Sequence, residues 1–135
     1  MNNVRVIRGL LINVVDGTCE LFNCFDTVEA YRTIIDCDVF DITRRCINGI
    51  WYHIICDDEG AIKRDCLPVA YRSPNDIRIY GNIFICSGVN IDGNLQSLTD
   101  EEYHHLIGCL GLYYLQDHSN LPDHSVVMIC GLDLE

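Results

Sequence analysis

Val39-Phe40-Asp41-Ile42-Thr43-Arg44-Arg45-Cys46-Ile47-Asn48-Gly49-Ile50-Trp51-Tyr52-His53-Ile54-Ile55-Cys56 decides the fold. Two runs rich in β-branched and aromatic residues flank Asn48-Gly49, a dipeptide that supplies the positive φ angles of a type I′ turn. With those two residues as the loop, antiparallel pairing sets Ile47 opposite Ile50, Cys46 opposite Trp51, Arg45 opposite Tyr52 and Arg44 opposite His53. Alternation then places Thr43, Arg45, Ile47, Ile50, Tyr52 and Ile54 on one side, and Ile42, Arg44, Cys46, Trp51, His53 and Ile55 on the other. Each side carries one arginine beside an aromatic ring.

Before this hairpin, Val4 to Val15 is apolar and basic, Asp16-Gly17 signals a tight turn, and Thr18 to Cys24 resumes alternation, which predicts an earlier hairpin. Asp26-Thr27-Val28-Glu29 has the form of a capping box with Glu at N3, and Val28, Tyr31 and Ile35 follow at helical spacing. After the hairpin, Asp57-Asp58-Glu59-Gly60 makes an acidic turn, and Ala61 to Asn82, broken by Pro68, Pro74 and Gly81, reads as irregular. Ile83 to Ser87 reads as a short buried strand, and Gly88 to Asn94 as a polar loop.

Thr99 and Glu102 form a second capping box, with Leu98 placed to staple onto Tyr103. The stripe Tyr103, Leu106, Ile107, Leu110 and Tyr114 predicts a helix packed on a sheet, and Ser125 to Cys130 a closing strand. The expected order is β, β, α, β, β, β, α, β. The chain thus reads as one α+β domain over residues 1–135, mainly antiparallel sheet with two helices packed on it.

Composition fits that reading. At 135 residues and 49% hydrophobic, the chain is long enough to bury a core without disulfide or metal staples. No apolar run approaches the roughly 20 residues that cross a bilayer, and the start reads as strand, not as a signal peptide, so an intracellular, cytoplasmic product is expected with no membrane partner. Nine cysteines, an odd number set largely in apolar runs, are expected to pack as small hydrophobes.

The formal charge of -11 argues against direct nucleic-acid binding, which depends on neutralising phosphates. There is no C-x-x-C, and His104-His105 with His118 and His124 lacks the spacing of a zinc site, so no metal is expected. Asp57, Asp58 and Glu59 lack the regular spacing of a calcium loop and read as a solvated turn. Phosphate-cradling glycine loops are absent, no cysteine carries a nucleophile signature, and neither a cofactor nor a catalytic residue is assigned. Arg44, Arg45, Trp51 and Tyr52 remain, because guanidinium groups suit phosphates and aromatic faces suit bases or ribose. The competing reading has one face covering the core while the arginine on the other pairs with Asp41, Asp57 or Asp58.

The segment from Phe40 to Gly60 resembles a family of small domains of unknown function found in phages, prophages and mobile elements of bacteria. Ser97-Leu98-Thr99-Asp100-Glu101-Glu102 is similar to that family's second recurring stretch, and Gly81-Asn82-Ile83-Phe84-Ile85 to a third. The likeness covers about residues 5–107, and the tail from Gly108 to Glu135 departs from it. The resemblance implies a phage protein that disarms host immunity in the bacterial cytoplasm, as a non-enzymatic sponge sequestering a nucleotide-derived immune signal. On that expectation Arg44 and Arg45 hold phosphates, Trp51 or Tyr52 stacks on a base, and Asp57 or Asp58 accepts from ribose hydroxyls. A homo-oligomer is expected to enclose the ligand. Two alternatives are an acidic mimic of nucleic acid that inhibits a basic host defence protein, and a small hydrolase of a nucleotide signal.

Overall fold

The computed structural model describes residues 5–14, 16–59, 68–73, 76–89, 94–115 and 124–130. Asn48 (φ 45°) and Gly49 (φ 91°) both take positive φ. They join β3 (Phe40–Ile47) to β4 (Ile50–Asp57) in the expected register, with Arg45 opposite Tyr52 and Arg44 opposite His53. Upstream, β1 (Val6–Asn13) and β2 (Thr18–Phe25) form the first hairpin, from Asn13 opposite Thr18 to Val6 opposite Phe25. Then follows α1 (Val28–Ile35).

The strand β7 (Ile83–Val89) unites the two hairpins. It lies between β1 and β4, antiparallel to both, which gives the order β2-β1-β7-β4-β3. A two-residue strand, β8 (Leu95–Gln96), pairs with β7 off this path. A second sheet contains β5 (Pro68–Ser73), β6 (Asp76–Tyr80), β9 (Leu110–Leu115) and β10 (His124–Cys130), in the order β6-β5-β10-β9. All its pairs are antiparallel except β10 with β5. With α2 (Asp100–Ile107) as the second helix, the class is α+β and mainly antiparallel, as expected.

Alternation divides the core into two layers. On one side of the larger sheet, Ile7, Cys24, Ile55, Phe84 and Cys86 pack with Tyr31 and Ile35 of α1. On the other, Leu10, Ile12, Tyr52, Ile54, Ile83 and Ile85 pack with Leu106 of α2 and with Val69 and Ile79 of the second sheet. Fully burying an aliphatic side chain stabilises by about 1.5–3 kcal/mol, so the two layers together outweigh any local propensity along the chain.

Both helix starts are set by side-chain caps. At α2 the box is complete: Thr99 Oγ1 accepts from Glu102 N (3.1 Å) and Glu102 Oε1 accepts from Thr99 N (2.9 Å). Leu98 is buried and Tyr103 packs against the same cluster, as the staple requires. At α1 the cap falls one residue later than expected, on Thr27, whose hydroxyl accepts from Ala30 N. Asp26 is drawn away from capping by tertiary partners, accepting from the Tyr31 hydroxyl (2.5 Å) and from Arg5 (3.3 Å).

Three further expectations need correction. The stretch 61–82, read as irregular, contains the β5–β6 hairpin within its described part; Pro68 is tolerated because it is the first residue of its strand. The strand expected to end at Ser87 continues to Val89, into the expected loop. Finally, the helical stripe stops at Ile107, and Leu110 and Tyr114 belong to β9 instead. There, six consecutive pairings with β10 take over from helical hydrogen bonds. Of the histidines weighed as metal ligands, His118 lies outside the described residues.

The turn residues also anchor α2. His105 Nδ1 lies 2.6 Å from the Tyr52 hydroxyl, its Nε2 lies 3.3 Å from the Asn48 carbonyl oxygen, and Asn48 Nδ2 donates to Cys109 Sγ (3.0 Å). One close approach between β1 and β7 depends on glycine. A Cβ added to Gly9 would stand 2.6 Å from the Ile85 carbonyl oxygen and 2.7 Å from the Phe84 ring. Gly9→Ala must displace backbone at the centre of the sheet, so a loss of about 1–3 kcal/mol is expected in denaturant unfolding.

Candidate functional site

β3 is an outer strand of its sheet among the described residues, and alternation along it sends Arg44 and Arg45 to opposite faces. Arg45 shares its face with Asp41, Thr43 and, across the ladder, Cys56. These four, with Asp57, Asp58 and the β6 residues Ile79 and Tyr80, line a half-open cavity of about 150 Å³. Arg45 Nε is itself buried and has no hydrogen-bond acceptor among the described residues. Nor does any described carboxylate come within ion-pair distance of Arg44 or Arg45.

The carboxylates differ in what they can offer. Asp57 is buried, and its Oδ1 accepts from Glu59 N (2.9 Å), a local turn that already occupies part of its capacity. Asp58 and Asp41 are exposed. The Asp58 backbone N–H bonds to the Val39 carbonyl (3.1 Å), which ties the acidic turn to the start of β3. Burial, followed by the neighbouring Asp41 charge, pushes the Cys56 thiol up to about 12, so at neutral pH it is a protonated thiol and a poor nucleophile.

Arg44 is on the opposite side of the sheet. Its guanidinium carbon sits 4.0 Å from the centroid of the Trp51 ring, a cation–π contact that covers one face of an indole left 39% exposed. Tyr52 is fully buried beneath α2 with its hydroxyl engaged by His105. The six residues singled out from sequence therefore divide three ways. Arg45, Asp57 and Asp58 meet at one cavity, Arg44 and Trp51 meet each other on the far face, and Tyr52 belongs to the core and cannot stack on a ligand.

Asp41, Thr43 and Cys56 were missing from the expected site, although strand parity places them on the Arg45 face once the register is known. Tyr80 and Ile79 had no such signal, because they reach the cavity only through docking of β6. His104 bonds to the Asp100 carbonyl (2.8 Å) while His105 faces Tyr52, and no group of three potential metal ligands occurs among the described residues. No helix among them is long and apolar enough to cross a membrane.

His53 lies beside Arg44 on the α1 face, with Nδ1 buried and without a hydrogen-bond partner among the described residues. Burial holds its pKa below the ordinary 6.5; the Arg44 charge adds to this, and a hydrogen bond with the Ser87 backbone opposes it. Its contribution to stability is complete above about pH 6.5 and is lost as pH falls through the depressed value, because the unfolded chain takes up the proton first. Unfolding free energies measured between pH 8 and 5 for wild type and His53→Gln are expected to fall more steeply for wild type below about 6.5.

No curated protein and no solved structure gives a significant match to this chain. Residues 7–110 match the family described as Domain of unknown function (DUF3846). That match takes in both hairpins of the larger sheet, β7 and both helices, together with the cavity around Arg45. The chain therefore belongs to the DUF3846 family of domains of unknown function.

Proposed function

We propose that the domain is a binding protein for a small nucleotide-derived molecule, taken in the cavity beside Arg45. In a phage setting it would act as a counter-defence sponge that removes an immune signal from solution. One observation carries the reading: Arg45, which has no carboxylate within ion-pair distance among the described residues, lines a cavity whose other residues supply hydroxyl and carboxylate groups. A guanidinium offers five N–H donors, and Arg45 as a whole is only partly buried, so an acceptor supplied by a guest is favoured. The protonated Cys56 thiol supports holding over turnover.

Titration calorimetry with ADP-ribose, AMP and cyclic dinucleotides is the direct test. Heat is expected with at least one of them, weakened at least tenfold by Arg45→Met, which keeps the side-chain stem, and unchanged by Arg44→Ala on the opposite face. Silence with every compound, or binding indifferent to Arg45→Met, overturns the proposal.

The distribution of acids favours a second reading. Asp36, Asp38, Asp41, Asp58 and Glu59 are all exposed, and the Asp58–Val39 backbone bond gathers their chain segments at one end of the β3–β4 hairpin. Such a concentration suits a basic protein partner, a host defence component in a phage setting. A host-lysate pull-down should then lose its bound protein between roughly 0.1 and 1 M salt, as the screening length drops from about 10 to 3 Å; capture insensitive to salt argues against it.

A further inference from the structure

Size and charge together narrow what the Arg45 cavity can hold. Roughly 150 Å³ is the volume of a cavity that accommodates a single six-membered ring, whereas whole drug-sized ligands fill about 300–1,000 Å³. One ring of a nucleotide can enter, and the remainder must lie outside the rim.

Three carboxylates against one guanidinium make the lining net negative, so a phosphate carrying one or two charges is disfavoured inside it. A bare cation is no better served, since the Arg45 side chain lines the same cavity. A neutral ring bearing hydroxyl groups suits both: its O–H groups donate to the exposed carboxylates Asp41 and Asp58, and its oxygens accept from Arg45 and Thr43. Among the parts of a nucleotide, ribose has this character, and a carboxylate taking ribose hydroxyls is a recurrent arrangement in nucleotide sites.

We infer that the cavity recognises a ribose with a free 2′,3′-diol, so that the ligand is an AMP- or ADP-ribose-type molecule and not a 3′,5′-linked cyclic dinucleotide, whose 3′ oxygens are esterified. The inference rests on the binding function proposed above and goes further by naming the group that is read. Asp58 is the principal acceptor, because Asp57 already spends one oxygen on its own turn. Phosphates remain in solvent at the rim.

Four probes test this by calorimetry: AMP, 2′-deoxy-AMP, ADP-ribose and cyclic di-AMP, each against wild type and Asp58→Asn. AMP and ADP-ribose are expected to bind, 2′-deoxy-AMP to bind about 10- to 100-fold more weakly, and cyclic di-AMP to give no heat. Asp58→Asn, at an exposed position that does not threaten folding, is expected to bring AMP and its deoxy analogue to within a few-fold of each other. Binding of cyclic di-AMP without AMP, or equal affinity of wild type for AMP and 2′-deoxy-AMP, overturns the diol reading and leaves the binding function standing. Silence with all four overturns both.

Discussion

Two consecutive residues in positive φ, Asn48 and Gly49, lock the pairing of β3 with β4 and so decide the side of the sheet on which every hairpin residue lies. A slip of one position would turn Tyr52 and Ile54 toward the α1 face, and would put Trp51 and His53 under α2. The same turn is held from outside, because the Asn48 carbonyl faces His105 and the Asn48 side chain donates to Cys109. Register, helix docking and the separation of the two arginines are thus consequences of one local constraint. Around it, β7 supplies the hydrophobic centre, with Ile83 and Ile85 in one layer and Phe84 and Cys86 in the other.

That constraint also explains why the hairpin does not form a twin-arginine anion site. Adjacent residues of a strand face opposite ways, so the nearest groups in sequence are the ones kept apart. Arg44 finds the indole of Trp51, while Arg45 lines a cavity that a second sheet helps to close. The candidate site is therefore a product of one edge strand, the acidic turn that follows its partner, and two side chains from β6. Its lining is mixed in charge, which makes hydroxyl-bearing guests better matched than densely anionic ones.

Local signals in the chain carried a great deal of the architecture. The Asn-Gly turn with its register, the first hairpin, the Thr99 capping box and the mainly antiparallel α+β class all follow from interactions spanning a few residues, where propensity and hydrogen-bonding geometry suffice. Arg45, Asp57 and Asp58 as neighbours of one site were within reach of the same reasoning, since they belong to one hairpin and its turn. Membership of Asp41, Thr43 and Cys56 needed only parity carried further along the ladder.

What required the tertiary structure is everything that depends on partners distant in the chain. The strands β5, β6 and β9 have weak or misleading local patterns and gain their identity from pairing across the second sheet, where backbone hydrogen bonds and burial outweigh a helical stripe or a proline. Tyr52 reads as an aromatic face for a ligand until α2 covers it, and Asp26 as a helix cap until Arg5 and Tyr31 claim it. In each case one residue can satisfy either a local or a remote partner, and the choice is made by burial energy summed over many contacts, which no short window of sequence contains.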